Sequence, residues 1–428
     1  MKKQFWKYIL PSMITFLVTG IYVSVDGFFV GRTVGDVGLA SINVAWPLAA
    51  LILDIGTGIG MGGSVNISNY MGAGDKKRAD KAFGNTLVAL LLSSLVITAF
   101  LLLFGKPLLR LMGAEGEILT LGSEYIKILA CGAVVQVFAT GVTPLLRNQN
   151  KPMIAMSLML MNFTIDTVLS GVFVMLLGFG VRGAALATLV GQFITCIPAL
   201  FILFKKESRI PSSCYKLEKN MLCHIAKVGI PVFGLSFIPS LTILIINRQA
   251  VTYGGTTAIA AFAVISYVLS IGQLLLQGVG EGTQPLISFY YGAKNPQAVK
   301  TFRKWTYAMA FVIGILATAA IILLRNPIAD FFGVSGETAR VLQTALPLCA
   351  LSLPLYAFSR VTTEYFNAVK KSRNAAVMVY GEAFVLLPLA AFILPKIFGI
   401  NGVWIAVALV QLLLLFTGIF LRIKSRRI

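Results

Sequence analysis

The chain has 428 residues, of which 57% are hydrophobic and 12% charged. That charged share is about half of what soluble domains carry; with a mean hydropathy of +0.86 it excludes a soluble enzyme, a disordered chain and a secreted disulfide scaffold, and fits a polytopic membrane protein. The net charge of +20 does not indicate nucleic-acid binding, because Lys and Arg sit in short runs between apolar stretches rather than in a basic domain.

A membrane-spanning helix needs roughly 20 apolar residues. In chain order the expected spans are Tyr8–Gly31, Val37–Tyr70, Ala82–Gly105, Ile128–Leu146, Pro152–Val181 and Gly183–Phe204. Then follow Val228–Asn247, Gln249–Gly280, Trp305–Leu324, Val341–Ser359, Asn374–Pro395 and Ile397–Leu421. The total is twelve helices, the eighth beginning after a Gly254-Gly255 turn. The run Tyr8–Val25 has no small-residue cleavage site, so it reads as a span rather than a cleavable signal.

Basic residues alternate with these spans. Of the 36 Lys and Arg, 26 fall on the side that holds both termini, among them Lys76–Lys81, the loop from Lys205 to Lys227, and Arg422–Arg427. Eight fall on the other side. The excess places both termini in the cytoplasm, and the expected location is the bacterial cytoplasmic (inner) membrane. Cys131, Cys196, Cys214, Cys223, Cys349 and His224 have no zinc-site spacing.

The second half of the chain repeats the first at an offset of 219–220 residues. Pro11 maps to Pro231, Tyr70 to Tyr290, Gly72-Ala73 to Gly292-Ala293, Glu117 to Glu337, Phe179-Gly180 to Phe398-Gly399, and Gln192 to Gln411. Each copy has an even number of helices, so the copies run parallel in the membrane. The expected organisation is a six-helix lobe at 1–208, a cytoplasmic linker at 209–220 and a second six-helix lobe at 221–428. A pseudo-two-fold axis along the membrane normal relates the lobes, an architecture that suits a transporter with alternating access.

Six acids fall within or beside these spans: Asp26, Asp54, Asp166, Glu281, Glu364 and Glu382. An acid at the bilayer centre costs roughly 2.5–3.5 kcal/mol or more, so each faces a cavity or a lobe interior, with functional use as the default hypothesis. Asn162 and Asp166, four apart, share one face of the fifth helix. With Asp26 they could form an oxygen-rich pocket for Na⁺, or carry a proton; a structural cluster tying two helices together is the alternative. Glu382 is the repeat counterpart of Asn162. Glu364 follows Arg360 by four residues, the spacing of an internal salt bridge. Glu281, among Gly278, Gly280 and Pro285, suggests a broken helix. Asp54, in a glycine-rich helix, could attract a cationic substrate, although those glycines could equally allow close helix packing. Tyr22 and Phe163 are among the aromatic residues that could stack on flat or cationic ligands. Pro11 should kink the first helix, as a moving hinge or a static bend.

The run Val25-Asp26-Gly27-Phe28-Phe29-Val30-Gly31-Arg32, with Leu39-Ala40 and Pro47 after it, resembles the first helix and the start of the second in the multidrug and toxic compound extrusion (MATE) family. Tyr70-Met71-Gly72-Ala73-Gly74 resembles that family's next loop. Glu281-Gly282-Thr283-Gln284-Pro285-Leu286 with Tyr291-Gly292-Ala293 resembles its eighth helix and following loop, particularly in the small bacterial MepA-like branch. The likeness covers essentially the whole chain. It implies an all-α integral membrane fold of twelve helices in two lobes, and antiport of drugs against H⁺ or Na⁺. It implies an ion-coupling site at Asp26, Asn162 and Asp166, which are metal ligands only if Na⁺ is the coupling ion. Ala184 and Thr188 on the sixth helix match that site through a backbone carbonyl and a hydroxyl. Pro11 matches a proline linked to bending of the first helix. Asp54, Glu281, Glu364 and Glu382 depart from some relatives and leave open whether the second lobe binds ion or substrate.

The resulting expectation is a secondary multidrug exporter of cationic amphipathic drugs or metabolites. It would be embedded in lipid as a monomer and have no cofactor beyond the coupling ion. The substrate-binding candidates are Asp54, Glu281, Glu382, Phe163 and Tyr22. A lipid-linked saccharide flippase shares the architecture, but its anionic pyrophosphate calls for Arg or Lys where this chain has mostly acids. A major-facilitator transporter is a further two-lobed alternative, whose loop signature Gly72–Lys81 does not match. A membrane-embedded enzyme would need paired DxxD motifs or HExxH, and a nucleotide-driven pump would need a P-loop; none occurs in the sequence.

Overall fold

In the computed structural model, the described residues are 1–204, 210–332 and 336–424. Side chains at 21–28, 31–32, 35–36, 39–40, 256 and 259–260 lie outside the description. The α-helices in chain order are α1 (Lys2–Gly72), α2 (Lys76–Leu111), α3 (Gly116–Cys131), α4 (Ala133–Asn148), α5 (Pro152–Ser170), α6 (Gly180–Leu203) and α7 (Lys219–Gly292). Then come α8 (Pro296–Leu323), α9 (Arg325–Phe331), α10 (Gly336–Ala350), α11 (Ser352–Ala368), α12 (Ser372–Gly381), α13 (Leu387–Phe398) and α14 (Ile400–Lys424). Six-residue and five-residue π-helical segments, Gly171–Leu176 and Glu382–Leu386, extend α5 and join α12 to α13.

Ten stretches among the described residues are long and apolar enough to cross a membrane, and the pair α3 and α4, bent by 62°, makes an eleventh. The remaining expected span, Tyr8–Gly31, lies in the first half of α1 and partly outside the described side chains. With apolar residues on every face, such helices are stable only where lipid or other helices cover them. On α2, Val96, Leu103 and Phe104 are exposed, whereas Leu90, Ile97 and Leu101 are buried. That is the inverse of a soluble helix, whose outer face is polar.

Two expectations about boundaries are corrected. The eighth span runs Ala261–Gly292 rather than ending at Gly280, after a non-helical Gly255 (φ 64°). The helix is unbroken through Glu281 and Pro285, so the expected interruption there is absent. The tenth span runs Gly336–Ala368, not Val341–Ser359. Charged residues ended the sequence-derived spans, but a charged side chain with a buried partner continues a helix as well as an apolar one does.

The repeat is written into the backbone. Asp75 caps α2 by accepting from the Arg78 N–H, and Asn295, 220 residues later, caps α8 by accepting from the Ala298 N–H, both at 3.0 Å. Positive φ recurs at Gly74 and Lys294, at Asn150 and Lys370, and at Gly180 and Gly399. The Thr98 hydroxyl donates to the Ala130 carbonyl at 3.0 Å, and the Thr318 hydroxyl to the Ala350 carbonyl at 2.9 Å. Each bond lies beside a helix break, at Gly132 in one copy and Leu351 in the other.

Packing divides the chain into two compact units along a different line from the repeat. The N-unit is Val18–Phe237 with Ser288–Lys294; the C-unit is Met1–Leu17, Ile238–Ile287 and Asn295–Ile428. The first 17 residues therefore pack with the second repeat, and the start of α7 packs with the first. The crossings, Leu17/Val18 and Phe237/Ile238, are themselves 220 residues apart. Glycines permit the approach. In the N-unit a Cβ at Gly62 would collide with the Ile225 carbonyl, and in the C-unit one at Gly282 would come within 3.0 Å of Ile9 and 3.1 Å of Ser12.

The described part of the connection between repeats is fixed to the N-unit. Buried Asn85 donates to the carbonyls of Cys214 and Lys216 at 3.2 and 3.1 Å and accepts from the Glu218 N–H at 2.8 Å. Lys81 adds an ion pair with Glu218. One amide thus anchors the residues leading into α7.

Candidate functional site

In the N-unit, α5 and α6 pack side by side and carry four of the expected coupling residues. Asp166 is fully buried and Asn162, one turn earlier, is half-buried. Gly191 of α6 is seated on them: a Cβ there would lie 3.2 Å from the Asp166 Cβ and 3.3 Å from the Asn162 Oδ1. The Asn162 Oδ1 is buried and accepts no hydrogen bond. Earlier on α6, the Thr188 hydroxyl donates to the Ala184 carbonyl at 3.2 Å, so the two expected α6 ligands are neighbours. The hydroxyl oxygen keeps acceptor capacity after that bond.

Asp26 and Tyr22 lie outside the described side chains. Asp54 is buried in the N-unit, and its Oδ2 has no hydrogen-bond partner. Phe163 is half-buried on α5 between Asn162 and Thr164. Pro11 sits inside the helical run of α1, and the Thr15 hydroxyl donates to its carbonyl at 2.8 Å.

The remaining acids belong to a buried network in the C-unit. The Arg360 guanidinium lies 3.5 Å from Glu281 and 3.4 Å from Glu364, all three side chains at most 4% exposed. Gln277 donates to Glu281 at 2.8 Å. Glu382 accepts from the Gln411 amide at 2.6 Å, and Gln411 accepts in turn from the Ser359 hydroxyl at 2.8 Å. The expected Arg360–Glu364 pair is present, but Arg360 also holds Glu281, 79 residues away in sequence. Gln277, Ser359 and Gln411 went unremarked as site residues; for Gln411 the signal was its match to Gln192 in the repeat.

The MatE family profile matches residues 11–172 and 231–392, two copies separated by the same 220 residues that relate the repeats. The chain belongs to the MatE family. Among curated relatives, the multidrug export protein MepA of Staphylococcus aureus (strain MSSA476) is 26% identical over 404 residues, covering 94% of this chain and 89% of that protein. MepA of Staphylococcus haemolyticus (strain JCSC1435) is 24% identical over 421 residues, covering 98% and 92%. Among solved structures, an outward-facing multidrug resistance MATE transporter of the MOP superfamily superposes with a TM-score of 0.93 at 28% identity, covering 99% of this chain and 95% of that one. This MatE chain is therefore an all-helical membrane transporter with the family's twelve-helix, two-lobe fold.

Proposed function

We propose that this protein is a multidrug exporter that expels cationic amphipathic compounds by antiport with H⁺ or Na⁺. Asn162 and Asp166, with Asp26, Ala184 and Thr188, form the coupling site in this reading. The observation that carries it is the buried Asp166 carboxyl beside an Asn162 carbonyl oxygen that accepts no bond, between two apolar helices. A bound proton or cation would lower the cost of a carboxylate at that depth. Ion binding would favour one conformation of the protein and substrate binding the other, because exchange requires differential affinity for the two states. The relatives named above are multidrug export proteins, which supports a drug substrate. Asp54, Glu281, Glu382, Phe163 and Tyr22 are the proposed substrate contacts and Pro11 the proposed hinge. We place the protein as a monomer in the bacterial cytoplasmic membrane with both termini inside.

The flippase alternative is less well supported. Arg360, a buried base of the kind a pyrophosphate would need, is held by two carboxylates.

The experiment is efflux of a fluorescent cationic dye from proteoliposomes under an imposed pH jump or Na⁺ jump, with wild type and Asp166→Asn. One gradient should drive efflux, which also names the ion, and the substitution should reduce the driven rate by about 100-fold or more, as expected for losing roughly 2.7 kcal/mol or more of coupling. Driven efflux that survives Asp166→Asn would overturn the assigned site. Folded protein inactive under both gradients would overturn the antiporter.

A further inference from the structure

The repeat pairs Asn162 with Glu382 and Gln192 with Gln411, at offsets of 220 and 219. In the C-unit the second members are joined directly, Gln411 donating to Glu382 at 2.6 Å. In the N-unit the first members sit on the corresponding segments, α5 and α6, 30 residues apart in sequence against 29 in the C-unit. Gln192 is 8% exposed, and its Oε1, fully enclosed, accepts no hydrogen bond. The Asn162 Oδ1 is in the same condition. Gln192 follows Gly191, the residue seated directly on Asn162 and Asp166. It also lies one turn beyond Thr188 on the same face of α6.

A buried amide oxygen with no donor is costly, so its persistence calls for an explanation. In the C-unit the corresponding oxygen of Gln411 accepts from Ser359. The residue of the first repeat that corresponds to Ser359 is Ala139, at an offset of 220, which has no hydroxyl to give. The N-unit thus keeps the glutamine and lacks its donor.

We infer that Gln192 is a further ligand of the coupling site, its Oε1 accepting the coupling cation as Na⁺ or as the proton carried on Asp166. This inference rests on the antiporter reading and extends it. Amide, hydroxyl and carboxylate oxygens form a hard-oxygen set suited to a hard cation such as Na⁺. A proton on Asp166 would use the same oxygen as its hydrogen-bond acceptor. A Na⁺ could satisfy the Asn162 and Gln192 oxygens together, both of them without a donor, whereas a proton on Asp166 gives one O–H and would satisfy one.

The test measures dye efflux in proteoliposomes of the full chain against Na⁺ concentration at fixed pH, and against pH without Na⁺. The variants are Gln192→Leu, Gln192→Asn and Asp166→Asn, with thermal stability in NaCl and in choline chloride measured for each. Gln192→Leu should raise the half-saturating concentration of one ion by about tenfold, the loss of one neutral ligand, while the maximal rate changes little. Its stabilisation by that ion should shrink in parallel. A merely structural Gln192 would lower stability equally in both salts and leave half-saturation where it was, and that result overturns the inference. Should Gln192→Leu fail to fold, Gln192→Asn retracts the oxygen by one methylene and should give a smaller shift of the same sign; no shift would overturn the inference. Asp166→Asn separates the two levels. If it abolishes coupling while Gln192→Leu and Gln192→Asn do nothing, the antiporter stands and Gln192 is no ligand. If it leaves coupling intact, the antiport site itself is misassigned.

Discussion

Arg360 is flanked by two carboxylates and can neutralise the charge of one. Breaking a buried ion pair by removing one partner costs about 3–5 kcal/mol, because the survivor stays charged in a low-dielectric interior. Arg360→Met removes the cation that contacts both Glu281 and Glu364, so it should destabilise by about 3–5 kcal/mol. Glu364→Gln leaves Arg360 paired with Glu281 and should cost less than half as much. Thermal unfolding in detergent, followed for both variants, checks the order; equal losses would mean that Arg360 does not bridge the two acids. The sequence made part of this legible. Arg360 and Glu364 are four residues apart, and helical geometry brings such pairs together. Glu281 is 79 residues from Arg360, and no local rule predicts that meeting. Gln192 was visible in the repeat and served only to set its register, because a glutamine carries no charge to mark it as costly in a membrane.

At the scale of helices, the repeat allows a paired prediction. The Thr98 and Thr318 hydroxyls bridge to the carbonyls of Ala130 and Ala350 at equivalent breaks. Interhelical hydrogen bonds of this kind in membranes average about 0.6 kcal/mol. Thr98→Val and Thr318→Val keep the shape and remove the donor, so each should cost about that much, and the two losses should be alike. Unfolding in graded detergent mixtures would measure both; a several-fold difference would show that the two breaks are supported differently. The same scale explains where the sequence misled. Gly278, Gly280 and Pro285 look like helix breakers around an isolated acid, Glu281. In the fold the helix continues, and Gly280 makes room for Glu364, with a Cβ there 3.1 Å from its Cγ. Glycine in a membrane helix marks a broken helix or a close neighbour, and spacing alone does not say which. The breaks at Gly132 and Leu351 are not legible in the sequence because their surroundings carry no charge to mark a boundary.

At the scale of the whole molecule, hydropathy made the number of spans legible and self-comparison revealed two copies. Neither could show how the copies share their helices, since that depends on which faces meet. The N-unit takes the start of α7 from the second repeat, and the C-unit takes residues 1–17 from the first. Residues 1–208 expressed alone should therefore leave Gly62 and its neighbours uncovered, and residues 221–428 alone should leave Gly282 uncovered. Each half should aggregate or be degraded on its own, while co-expression should rescue both; co-purification from the same membranes would show it. A half that is monodisperse and heat-stable by itself would contradict the exchange.

The paired crossings at Leu17/Val18 and Phe237/Ile238 also bear on origin. A six-helix chain that lent its leading segment to an identical neighbour and received the same in return would be a parallel, intertwined dimer. Joining two such genes end to end would turn that swap between molecules into a swap within one. The covalent tether would then free each copy to diverge, so that one holds Asn162 where the other holds Glu382.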